Sequence, residues 1–299
     1  MNRLNLTALH IWLANTLELN RHQSNARNLP QMEGLRGVAV LLVFLVHYTS
    51  LIQPITLPTP AFDFFLLHLH EMGGAGVDIF FVLSGFLIYG SLIEKKSDLL
   101  TYAKRRVQRI YPAFLVMFVI YVVLCFVFPA ENKIPPGAGA GLLYLGQNLL
   151  LLPGLLPITP LITVTWSLSY EAFYYAFIPL LIAGLNLRIR TPLFRCVILL
   201  LLAFALLAGT TLLDSNDKLG TYSDHSKLSL FAAGALLYEL RTRFAPSVPS
   251  GIGLPAFVLA ILAMAMVPGD SATSALRTGF IFLCYVLAFL SVFSPPPPP

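Results

Sequence analysis

Arg36 and His47 stand eleven positions apart in MEGLRGVAVLLVFLVHYTSL, residues 32–51. At about 100° per residue that interval closes about 20° past three full turns, so in a helix both side chains share a face, roughly 16 Å apart along the axis. A guanidinium grips phosphate in a bidentate manner. A neutral imidazole takes up a proton, or an acyl group, near neutral pH. Three further stretches carry reactive side chains. GGAGVDIFFVLSGFLIYG, residues 73–90, places Asp78 just after a glycine cluster. In KRRVQRIYP, residues 104–112, Arg105, Arg106 and Arg109 share a helical face and could clamp a phosphorylated ligand. In WSLSYEAFYY, residues 166–175, Glu171 has Ser167, Tyr174 and Tyr175 at helical spacing as hydrogen-bond donors.

Each stretch has a plainer reading. Arg36 serves equally as a membrane anchor, His47 as a packed helix residue and Asp78 as a helix cap. The three arginines could face lipid headgroups, and the aromatics could form an interface belt. Glu171 is left over by that account. His225 and Lys227 read as a solvated loop end. The adjoining Ala232, Ala233, Gly234 and Ala235 read as a close-packing face.

The elements that must hold these residues follow from composition. Of 299 residues, 57% are hydrophobic and 11% charged, and mean hydropathy is +0.77. Soluble domains average about 45–50% apolar and about 25% charged residues. The chain therefore reads as an all-α, polytopic integral membrane bundle of roughly eight to ten spans. Apolar runs place spans near 35–54, 73–93, 110–128, 161–185, 193–213, 226–240, 251–268 and 276–294. A ninth run, 140–157, holds Gln147 and Asn148 at its centre and ends in prolines, which favours a re-entrant or interfacial element. The expected divisions are a leader, 1–30, without the marks of a signal peptide, a membrane domain, 31–294, and a proline tail, 295–299.

The net charge of +5 does not indicate a nucleic-acid partner, because the basic residues sit in short loops between apolar runs. Those loops are the leader through Arg36, residues 94–109, residues 186–195, and Arg241 with Arg243. The alternate loops carry Asp63 and Glu71, then Asp214, Asp217 and Asp224, then Asp270. This pattern puts the N-terminus in the cytoplasm of a multi-pass cell-membrane protein, with residues 140–157 not crossing. Cys125, Cys196 and Cys284 lie singly in or beside apolar runs, without metal-ligand or disulfide spacing. His47, Asp78 and Glu171 then fall within one band of depth, where each charge costs about 2.5–3.5 kcal/mol and so marks a site.

The chain resembles the acyltransferase 3 family of integral membrane acyltransferases. The resemblance is carried by arginine, ten residues and histidine from Arg36 to His47, then GVDIFFVLSGFLI, RRVQRIYP and WSLSYEAFYY in the same order. It implies transfer of an acyl group, most often acetyl, from cytoplasmic acyl-CoA (acetyl-CoA) to a hydroxyl of a carbohydrate or another acceptor. His47 is then the base or a transient acyl carrier, with Glu171 or Asp78 orienting it. Arg36, Arg105, Arg106 and Arg109 hold the CoA phosphates, and no metal takes part. Family members usually carry one more span, whereas this chain stops at VFSPPPPP, so the last span is expected to be missing. A proton-coupled transporter with buried His, Asp and Glu is the alternative class, and an inactive truncated fragment a third. The oligomeric state is left open.

Overall fold

The computed structural model describes residues 30–53, 59–94, 98–214, 225–244, 248–267 and 274–293. The leader, Lys95, Lys96, Asp217, Asp224, Asp270 and the proline tail lie outside the described residues. Within them the chain is helical, without a named strand: α1 Pro30–Ile52, α2 Pro60–Glu94, α3 Leu99–Val127, α4 Ala138–Leu149, α5 Thr165–Gly184, α6 Pro192–Asp214, α7 Leu228–Glu239, α8 Ser250–Met266 and α9 Ser274–Phe293. The protein is an all-α polytopic membrane bundle. Five helices, α1, α2, α3, α6 and α9, are long and apolar enough to cross a membrane. The remaining runs give shorter or more polar helices. Thus α7 has 12 residues, and α5 opens on the polar sequence TWSLSYE.

α2 is the central post. Its apolar window is 72% buried inside the protein, against 11% for α1. It begins at Pro60, well before the expected residue 73, and runs 35 residues, or about 52 Å. The glycine cluster does not break it, because those glycines are packing sites. A Cβ on Gly73 would lie 2.7 Å from the Leu42 carbonyl oxygen, and one on Gly76 would lie 2.5 Å from that of Ala39. The close approach of α1 offsets the roughly 1 kcal/mol that glycine costs inside a helix. Asp78 therefore sits mid-helix and buried, not at a helix start.

α7 crosses α2 on its other side, and all twelve of its residues are buried. The small residues expected there as a packing face meet the α2 backbone: a Cβ on Gly234 would stand 2.0 Å from the Val82 carbonyl oxygen. Phe81, Phe231 and Tyr174 stack beside this crossing, joining α2, α7 and α5 with ring centroids 4.5 Å apart.

Residues 140–157 form no spanning helix. α4 has 12 residues, about 18 Å, against a hydrocarbon core of about 30 Å. Its last carbonyl, that of Leu149, accepts from Tyr111 Oη at 3.2 Å, well inside α3. The chain then returns through residues 150–164, fixed by Asn148 Oδ1, which accepts from the Leu161 backbone N–H at 2.7 Å. Asn148 thus satisfies a backbone donor of the turn that follows α4.

The basic segments gather at one end of the bundle. Arg188 Nε donates to the Leu92 carbonyl at 2.9 Å, and Tyr238 donates to Glu94. Arg195, read from the sequence as a loop charge, is buried. Its Nε lies 2.8 Å from Glu239 Oε1, and Tyr89 Oη donates to the same carboxylate oxygen at 2.8 Å. This pair ties α6, α7 and α2 together.

Candidate active site

α1, α2, α3 and α5 each line two open cavities that follow one another along α2. The larger, about 650 Å³, is lined by His47 and Ser50 of α1, His70, Glu71 and Gly74 of α2, Tyr121 of α3, Trp166 and Ser167 of α5, and Lys227. The smaller, about 290 Å³, is lined by Arg36, Phe80, Ser84, Leu87, Arg109 and Tyr175. The lining passes from residues 70–77 of α2 in the first to residues 80–88 in the second. Both volumes approach or fall within the range of small-molecule sites, about 300–1,000 Å³.

α1 contributes one residue of interest to each cavity, His47 to the larger and Arg36 to the smaller. His47 is exposed to the space beside α1. Arg36 is half-buried and also pairs with Glu33, one turn earlier.

On α5, Ser167, Glu171 and Tyr175 follow one another at intervals of four, about one turn each. Ser167 lines the larger cavity and Tyr175 the smaller, so Glu171 stands between them. Its carboxylate accepts from Tyr175 Oη and, at 3.4 Å, from Ser84 Oγ. The other expected donors are used elsewhere. Tyr174 Oη donates to the Gly85 carbonyl, and Ser167 Oγ to that of Val164.

The three arginines of α3 separate. Arg109 lines the smaller cavity. Arg106 lies over the rings of Tyr102 and Tyr175, 5.4 Å and 5.2 Å from their centroids. Its charge therefore braces the tyrosine that holds Glu171. Arg105 is exposed and lines neither cavity.

Asp78 is tied to a residue of the larger cavity, Lys227. It forms an ion pair with Lys227 Nζ at 2.8 Å. Lys227 lies 5.8 Å from the Trp166 ring centroid. His225 is half-buried, with Nε2 hydrogen-bonded to the Leu155 carbonyl at 3.1 Å. Neither residue is a solvated loop end. The carboxylate that does line the cavity of His47 is Glu71, which the sequence reading counted as a loop charge. His70 lines it too. Both were missed because α2 was expected to start at residue 73. His70, Gly74 and Val77 recur at helical spacing, and that was the available signal.

The larger cavity holds imidazoles, a carboxylate and hydroxyl groups, and the smaller holds guanidinium groups. Together they suit transfer between a phosphate-bearing donor and a hydroxyl. The family model for the acyltransferase domain matches residues 29–295. The chain belongs to the acyltransferase 3 family. Among curated relatives, the acyltransferase MdmB of Streptomyces mycarofaciens is 37% identical over 157 residues, 51% of this chain and 38% of its own length. The O-acetyltransferase OatA of Staphylococcus aureus is 26% identical over 293 residues, 89% of this chain and 44% of its own. An uncharacterised Haemophilus influenzae protein is 31% identical over 152 residues, 47% of this chain and 61% of its own. This acyltransferase 3 chain thus spans under half the length of the two named relatives. No solved structure matches it.

Proposed function

We propose that the protein transfers an acyl group, acetyl in the first instance, from acyl-CoA to a hydroxyl of a carbohydrate acceptor. The observation that carries this reading is the pair of successive cavities to which α1, α2, α3 and α5 all contribute, Arg36 and Arg109 at one and His47 at the other. The name O-acetyltransferase borne by the Staphylococcus relative supports acetyl as the group moved.

The donor enters at the basic end, which faces the cytoplasm of a cell-membrane protein by the positive-inside rule. In this reading the smaller cavity, about 290 Å³, receives the pantetheine arm and the nucleotide stays outside. The phosphates therefore stay at its mouth, held by Arg36 and Arg109, with Arg105 further out. Arg106 contributes indirectly, by bracing Tyr175. The acceptor enters the larger cavity from the other side. His47, neutral, takes the hydroxyl proton as the oxygen attacks the thioester carbon. The new ester C–O bond forms, the C–S bond breaks, and the proton passes to the departing CoA thiolate. Glu171, between the cavities, stabilises the transfer region through its hydrogen bonds to Tyr175 and Ser84.

The test uses purified protein, acetyl-CoA and a panel of saccharide acceptors, with free thiol release as readout. His47→Ala lowers transfer about 100-fold or more, the lower end of general acid–base contributions. A variant that transfers at the wild-type rate overturns the role given to His47. A wild type that releases no thiol with any acceptor overturns the reaction itself.

A further inference from the structure

His70 is the residue the family resemblance leaves without a task. It lies on α2, lines the same cavity as His47, and is tethered by one ring edge to α1. Thr49 Oγ1 and Ser50 Oγ stand 3.2 Å and 3.3 Å from its Nδ1. One hydrogen-bonding arrangement of this tether defines the tautomer on which the proposal below is built. Each hydroxyl has one proton and two acceptor lone pairs. Thr49 Oγ1 lies 2.9 Å from the carbonyls of Leu45 and Val46, and Ser50 Oγ lies 2.9 Å from that of Val46. These are back-bonds to the preceding turn, available to any helical Ser or Thr. With both protons directed there, both oxygens offer lone pairs to the imidazole. An unprotonated Nδ1 has a single lone pair and could not serve two donors well. An Nδ1–H serves two acceptors as a shared donor. In that arrangement the proton resides on Nδ1, and Nε2, at the ring's opposite edge, is unprotonated.

We propose that His70 is an acceptor-binding residue of the transferase. Its Nε2, kept free of its proton by Thr49 and Ser50, accepts a hydrogen bond from a hydroxyl of the acceptor in the cavity shared with His47. This rests on the acyl-transfer reading, in which the larger cavity receives the acceptor. It adds a second imidazole, from the neighbouring helix, whose task is to hold rather than to deprotonate. The division follows from geometry. His70 is pinned at one nitrogen and partly buried, which suits a fixed hydrogen-bond acceptor. The pinning groups belong to α1, so the acceptor contact and His47 are set by one helix.

Two measurements test it. Nitrogen-15 NMR of histidine-labelled protein, with His70 assigned by loss of its signals in His70→Gln, should show Nδ1 protonated and Nε2 bare. The Thr49→Val, Ser50→Ala double variant should lose that preference. A protonated Nε2 in the neutral wild-type ring overturns the proposal, whatever the enzyme does. In kinetics with acetyl-CoA and the saccharide panel, His70→Ala should raise the acceptor KM roughly fivefold to tenfold, the worth of one hydrogen bond. The KM for acetyl-CoA should stay within twofold. His70→Gln, whose side-chain oxygen can reach the position of Nε2, should recover most of the loss. Because Gln cannot act as a base, its failure to rescue overturns a holding role, as does an unchanged acceptor KM in His70→Ala. A wild type inactive with the whole panel removes the transfer reading and this one together. An active wild type with indifferent His70 variants removes this one alone.

Discussion

Asp78 shows how a residue's type can be informative while its partner is not. A carboxylate deep in an apolar helix calls for a counter-charge, and the structure supplies Lys227 from 149 positions away. Removing one member of a buried pair strands the other, at a cost of roughly 3–5 kcal/mol, whereas replacing both with apolar residues is often tolerated. Asp78→Ala should therefore lower the melting temperature of the purified protein markedly, and Asp78→Leu with Lys227→Met should restore much of it. Equal losses in the single and double variants would count against the pair. The arginines of α3 divide in the same way. Arg109→Glu should weaken acetyl-CoA binding in a salt-sensitive manner, since it faces the smaller cavity. Arg105→Glu, on the exposed side, should change it less. Titration calorimetry at two ionic strengths separates them, and an equal effect of both substitutions would place the donor elsewhere.

Helices α1, α2 and α7 owe their positions to small residues at crossing points. A side chain at Gly234 has no room, because its first carbon would fall 2.0 Å from a backbone oxygen of α2. Gly234→Val should therefore force α2 and α7 apart, costing about 1–3 kcal/mol or more by overpacking. Gly37, on α1, has nothing within 4 Å of such a carbon. Gly37→Ala should be neutral or stabilise by about 0.5–1 kcal/mol through helix propensity. Thermal unfolding in detergent compares the two, and similar melting points would show that the crossing is looser than described. α2 also carries the clearest departure from the sequence reading. Glycines 73, 74 and 76 were taken as the edge of a span. They lie inside a longer helix, because α1 occupies the space beside Gly73 and Gly76, and Met264 of α8 the space beside Gly74. Extending α2 back to Pro60 is what brings His70 and Glu71 into the wall of the cavity.

The whole bundle has a polarity set by its charges. Arg188 bonded to the end of α2 and Arg195 bonded to the end of α7 hold the basic segments together. A re-entrant α4 would leave the basic segments on one side of the membrane. A cysteine placed at Arg190 should therefore resist an impermeant thiol reagent applied to intact cells, while one at Glu131 should react. Labelling of position 190 from outside would reverse the assignment of α4.

Residue order alone was enough to read an all-α membrane bundle, the family the chain joins and which side chains are chemically conspicuous. Hydropathy, charge bias and short motifs are local properties, and a membrane reads them locally. Which of those residues meet is set by how the helices pack. Asp78 answers Lys227, Glu171 answers Tyr175 and Ser84, Arg106 leans on tyrosines, and His47 shares its cavity with His70 and Glu71. Those meetings depend on helices approaching across gaps of many residues, at distances set by where a glycine replaces a side chain. No pattern confined to one segment records the face its neighbour presents.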